Sequence, residues 1–107
     1  MSSPRFEASR ILGERLRNRR RELRISQVDV ANLSQVDLAN YGRVERGVGN
    51  PTLVTILQLA VTLEIDPGEL LQGLDDMELL PEHEHTFSSS DFVREQLALR
   101  DRPDRKS

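Results

Sequence analysis

Apolar residues recur at helical spacing through most of the chain, and capping or breaker residues cut that pattern into segments. Leu12, Leu16 and Leu23 form a stripe over residues 9–23, with Ile25 following. Arg15, Arg17, Arg19, Arg20 and Arg21 cover the rest, so a first amphipathic helix is predicted there. Ser26 offers an N-cap, and Asp29 three positions on gives a capping-box spacing. A second helix is expected over 27–33, with Val30 and Ala31 inward. Asp37 can cap a third helix over 38–46 in the same way, and Gly47 suits its C′ position. Pro51 is expected at or near the first position of a fourth helix. Leu53, Ile56, Leu57, Ala60, Val61 and Leu63 fall at helical spacing within it. Asp66-Pro67-Gly68-Glu69 starts a fifth helix with another capping-box spacing, and Leu70, Leu71 and Leu74 are expected to close the core.

Past residue 74 the pattern weakens. Residues 75–85 read as an acidic linker with Pro81, and 86–90 as a polar loop around Phe87. Ser88 and Asp91 signal one more helix over 92–100, whose more apolar side carries Phe92, Val93, Gln96, Leu97 and Leu99. So short a helix is not stable alone, and it is expected to dock on its own domain or on a second copy. The expected organisation is a flexible arm (1–8), an all-α five-helix domain (9–74) and a C-terminal extension (75–107). That extension holds the further helix and is a candidate dimerisation element; residues 101–107 are expected to fray.

The third segment carries the most unusual surface. At about 100° per residue, Tyr41 and Val44 point one way, toward a core. Ala39 points directly opposite, flanked by Gly42 and Arg43, with Leu38 and Asn40 further round. The outward face is small, nearly neutral, and carries one long cation. Gly42 costs about 1 kcal/mol relative to Ala inside a helix. Close approach to another molecule is the expected compensation. A groove floor fits: Ala and Leu can touch thymine methyls, and Arg43 can bond guanine in a fork.

These residues resemble a known family. The run S-Q-x-x-x-A, then G-R-V-E-R-G, then N-P-T-L, is similar to the helix-turn-helix of the phage-repressor type, the Cro and lambda repressor family. The resemblance spans residues 11–71 without a gap and implies a five-helix DNA-binding domain. It further implies an ion pair between Arg20 and Glu45 joining the first and third helices. Two positions depart from the family's pattern. Gln35 stands where Gly is usual in the turn, at a cost of roughly 1–2 kcal/mol for a left-handed conformation. Tyr41 stands where Ile or Val is usual, so its hydroxyl needs a partner or an exit to water.

The net charge of −3 at first argues against a nucleic-acid binder, but its distribution changes that picture. Residues 1–24 hold eight Arg against three Glu, whereas 25–74 and 75–107 are each acidic by four charges. Phosphate responds to the local patch within a Debye length of roughly 8 Å. The mean charge still implies weak non-specific binding and reliance on base contacts. The absence of Cys excludes disulfides and suits a reducing cytosol, so a cytoplasmic location is expected. No apolar run approaches membrane length. His83-Glu84-His85 is weak as a metal pattern and is expected to be solvated. No phosphate loop and no nucleophile with a base at recognisable spacing is present, so neither catalysis nor a cofactor is expected.

The expected function is sequence-specific binding of double-stranded DNA by a homodimeric transcriptional regulator, with repression as the default. Gln27 and the second helix's N-terminus would meet phosphate. Asp37, Leu38, Ala39, Asn40, Gly42 and Arg43 would lie at or in the major groove, with Arg46 and Asn50 toward the backbone. The alternative is a protein-interaction module, antitoxin-like, that holds a partner protein through the C-terminal segment.

Overall fold

Capping residues set where the helices begin. The computed structural model describes residues 6–81 and 88–101. It contains α1 (Glu7–Glu22), α2 (Gln27–Ser34), α3 (Leu38–Glu45), α4 (Leu53–Thr62), α5 (Pro67–Leu71) and α6 (Ser89–Arg100), with a 3-10 turn at Met77–Leu79. Ser26 Oγ accepts from the Asp29 N–H at 3.0 Å while Asp29 Oδ2 accepts from the Ser26 N–H at 2.9 Å, a complete capping box. Asp37 accepts from the Asn40 N–H at 3.1 Å. Four starts differ from expectation, α6 among them, since it begins at Ser89, directly after its Ser88 cap, instead of at residue 92. Helix α1 begins at Glu7, inside the expected arm, because Ala8 extends the buried stripe of Leu12 and Leu16. Pro51 precedes the cap instead of opening α4; Thr52 supplies the hydroxyl that the Thr55 N–H needs, at 3.2 Å. Asp66 caps through Gly68 N at 2.9 Å, with Pro67 in the first turn, a tighter turn than the Asp66–Glu69 spacing suggested.

Helix ends repeat one device. Arg24, Gln35, Gly47 and Glu64 all adopt positive φ, between 51° and 81°. The residue after each sends its N–H back into the helix. Ile25 reaches the Arg20 carbonyl (3.3 Å), Val36 that of Ala31 (3.1 Å), Val48 that of Arg43 (3.0 Å) and Ile65 that of Ala60 (3.0 Å). This is the Schellman arrangement, and the β-branched apolar residue at C″ is its hydrophobic anchor. Ile25 and Ile65 pack on the core, and Val36 belongs to it. Burial of that anchor offsets the strain of three non-glycine left-handed residues, Gln35 among them.

Helix α1 packs on α3 and α5, α2 on α3 and α4, and α4 on α5. Their shared core is Leu12, Leu16, Val30, Tyr41, Val44, Leu59, Leu63 and Leu70, closed by Leu74. Leu71, expected in this core, is 41% exposed, because α5 is a single turn and only Leu70 faces inward. Helix α4 turns Leu59, Ala60 and Leu63 inward and leaves Leu53, Val54, Leu57 and Val61 exposed. Helix α6 is capped by Ser88 Oγ, which accepts from the Asp91 N–H at 3.3 Å, and none of its residues is buried. His83, His85 and Phe87 lie outside the described residues. Among the described residues, no helix is long and apolar enough to cross a membrane.

Candidate nucleic-acid interface

The site rests on a close approach of α1 to α3. A Cβ on Gly13 would lie 2.6 Å from the Val44 carbonyl oxygen and nearer still to that of Glu45. Only glycine permits this contact, which brings the arginines of α1 over the last turn of α3. Arg20 grips Glu45 in a fork, Nε to Oε2 at 2.8 Å and Nη2 to Oε1 at 3.0 Å. Its remaining nitrogen Nη1 donates to the Ile25 carbonyl at 3.1 Å. Gln27 Nε2 donates to Glu45 Oε1 at 3.0 Å, and Arg17 approaches the same oxygen at 3.5 Å.

Glu45 is thus a buried carboxylate, 2% exposed, with donors on both oxygens. Burial alone would push its pKa up. The Arg20 fork, the neighbouring Tyr41 hydroxyl, the Gln27 amide and the Arg20 charge outweigh burial and hold it at about 2. The same hydrogen bond raises Arg20 above its ordinary value. Tyr41 is fully buried, and burial, then Glu45, raises its pKa. Its hydroxyl lies beside the pair but, among the described residues, meets no partner in good hydrogen-bond geometry.

Arg20 apart, the arginines of α1 read in sequence as a solvated face; two of them, Arg15 and Arg19, are internal staples. Arg15 Nη1 donates to the carbonyls of Leu70 (3.0 Å) and Gln72 (2.8 Å) at the end of α5. Arg19 donates to those of Leu63 (2.8 Å) and Glu64 (3.0 Å) at the end of α4. Each satisfies carbonyls left open by a helix C-terminus, where a cation is favoured. With Arg20 on Glu45 and Arg10 paired to Glu7 and Glu14, less of the local positive charge faces outward than a count implies. Arg17, Arg21 and Arg46 line one shallow hollow between α1 and α3.

On the outward side of α3, Leu38 is 45% exposed and Ala39 and Arg43 are exposed. Asp37 is exposed but spends its carboxylate on the cap, and Asn40 is half-buried. Asn50 and Arg46 are exposed. Among the described residues, neither Arg43 nor Arg46 makes a hydrogen bond or ion pair. Two candidates differ from expectation. Gly42 is buried, so it does not stand on an open ridge; Arg46 Nη1 would lie 3.2 Å and Gln27 Oε1 3.9 Å from a Cβ placed there. Gln27 turns its amide nitrogen inward to Glu45, because the buried carboxylate takes a third donor. The Gln27 and Val28 N–H groups remain the open donors of α2's N-terminus. Gly13, Arg15 and Arg19 were missed as positioning residues. Their partners lie on helices distant in sequence, so no local signal marks them. Among the described residues, no group of three His, Cys, Asp or Glu is placed to hold a metal.

Comparison with known proteins agrees with this arrangement. The helix-turn-helix domain family matches residues 11–72. The restriction-modification controller protein C.AhdI from Aeromonas hydrophila is 45% identical. The match covers 58% of this chain and 94% of that one, with a TM-score of 0.57. The P22 c2 repressor, solved in complex with a synthetic operator, is 32% identical over 59% of this chain and 96% of its own, with a TM-score of 0.56. The SinR–SinI complex shares the fold at 18% identity, covering 82% of this chain and 80% of that one, with a TM-score of 0.57. Comparison with curated proteins gives no match.

Proposed function

The chain belongs to the helix-turn-helix domain family of DNA-binding transcriptional regulators, and we propose that it reads the major groove of duplex DNA as a homodimeric repressor. The carrying observation is the outward face of α3: Leu38, Ala39 and Arg43 exposed, with Arg43 unengaged, on a helix locked from behind by the buried Glu45. A small apolar surface beside a free guanidinium suits a groove floor with thymine methyls and a guanine edge. The open N–H groups of Gln27 and Val28 suit a phosphate at the groove's rim, and the basic hollow of Arg17, Arg21 and Arg46 suits the flanking backbone.

A homodimer is supported by the uncharged apolar face of α4; α6 also exposes Phe92, Val93, Leu97 and Leu99, but among charged residues. Val54, Leu57 and Val61 join Leu33 of α2 along one hollow, and Leu57 and Val61 continue into a second beside Ile65 and Pro67. At 41–78% exposure, the first four residues present on the order of 400 Å² of apolar surface, the size of the largest patch on an ordinary monomer and about half of a standard interface per partner. Helix α4 itself holds no charged residue, so two α4 faces can meet on a two-fold axis without like charges opposed, although Glu64 and Asp66 line the second hollow. Two α3 helices would then address half-sites about 34 Å apart.

Salt tests the reading. On duplexes selected from a random pool, affinity should fall about 100-fold or more between 50 and 200 mM salt, as roughly four neutralised phosphates require. A nearly flat dependence would favour a partner protein held by the apolar side of α6.

A further inference from the structure

Gly42 sits mid-helix on the side of α3 opposite Tyr41 and Val44, yet it is buried. What covers it is not core. Arg46, one turn on, lays its guanidinium back across the glycine, and the Gln27 side chain closes the other side. A Cβ at position 42 would sit 3.2 Å from Arg46 Nη1, tighter than an ordinary van der Waals contact, so an alanine there pushes the guanidinium off its seat by a few tenths of an ångström and a larger side chain by more. Arg46 has no ion-pair or hydrogen-bond partner among the described residues that would otherwise fix it. It lines the same hollow as Arg17 and Arg21.

We propose that Gly42 is a positioning residue: lacking a side chain, it seats Arg46 across α3 so that the guanidinium meets a DNA phosphate at the edge of the groove. This rests on the DNA-binding reading above and adds to it the reason for a glycine in a recognition helix. The helix gives up intrinsic stability at position 42, and the seated cation is what that loss secures. The arginine's long stem would otherwise sample many rotamers, and ordering it before DNA arrives lowers the entropic cost of the contact.

The test is a double-mutant cycle of Gly42→Ala with Arg46→Ala, read by affinity and salt slope on a duplex selected by the wild-type protein, with melting temperature alongside. Gly42→Ala should raise the melting temperature by a few degrees, about 4 °C, because alanine favours the helix and only a flexible tip must move. It should weaken DNA binding about 10-fold and lower the salt slope by about 2, one phosphate contact from each protomer of the dimer, as Arg46→Ala should. In the Arg46→Ala background, Gly42→Ala should have no further effect on binding. Unchanged affinity in Gly42→Ala overturns the proposal while leaving the DNA reading intact. A full loss that persists without Arg46 also overturns it, since the methyl would then collide with DNA directly. Failure of the wild-type protein to select any duplex overturns both.

Discussion

Helices α3 and α4 solve opposite problems. Helix α3 buries a carboxylate, satisfies it with Arg20 and Gln27, and presents a small apolar face with one cation, Arg43, free among the described residues. Helix α4 has no charge at all and leaves Val54 and Val61 62% and 78% exposed. The first is finished within one chain, since every strong interaction it needs comes from α1 and α2. The second is unfinished, and apolar surface of that extent is costly to leave in water. On the proposed reading, the contrast divides the domain into a rigid reading edge and an adhesive edge, which is what a two-fold DNA reader requires.

The largest effect expected from breaking this contrast lies at the buried pair. Arg20→Leu should cost about 3–5 kcal/mol in denaturation experiments, because it leaves Glu45 charged and buried. Arg21→Leu, one residue away and exposed, should stay within about 0.5 kcal/mol. Equal small losses would mean that Glu45 finds other partners and that α3 is not held by this fork.

Acid should then reveal the same carboxylate. Its folded pKa of about 2 lies below its ordinary 4.5, so its stabilising contribution is complete above pH 4.5 and disappears as pH falls through 2. The shift corresponds to about 3 kcal/mol. Glu45→Gln should flatten the stability profile across pH 2–4.5; a profile as steep as wild type would assign the acid sensitivity to other groups.

Much of this was legible in the sequence because it is local. Ser26, Asp37 and Ser88 announce helix starts, and Tyr41 and Val44 mark the inward side of α3 by spacing alone. The fork of Arg20 on Glu45 was suggested only by family resemblance, because 25 residues separate its partners. What sequence spacing could not give was tertiary cover. Gly42 looked open on a helical wheel, which shows a helix's own residues but not a neighbouring arginine folded over them. Arg15 and Arg19 looked solvated because their acceptors are carbonyls on α4 and α5, invisible in side-chain chemistry. Leu71 was placed in the core by composition, whereas a one-turn helix has room for a single inward residue.

The adhesive edge is the next place to break. Val61→Asp should weaken dimerisation at least about 10-fold in sedimentation equilibrium, by setting two carboxylates against an apolar partner. Folding stability should barely change, since Val61 is 78% exposed in one chain. Val93→Asp on α6 should leave the dimer intact. The reverse outcome would move the interface to the C-terminal helix.

The effect confined to the fewest sequences is also the most direct test of the central claim, that the outward face of α3 reads bases. Arg43→Ala should be compared with wild type on duplexes varied one base pair at a time across the selected site. The account predicts a loss of roughly 1–3 kcal/mol confined to one guanine-bearing position in each half-site, where preference then relaxes. An equal loss on every sequence would contradict it, placing Arg43 on the phosphate backbone and leaving base reading to some other part of the molecule.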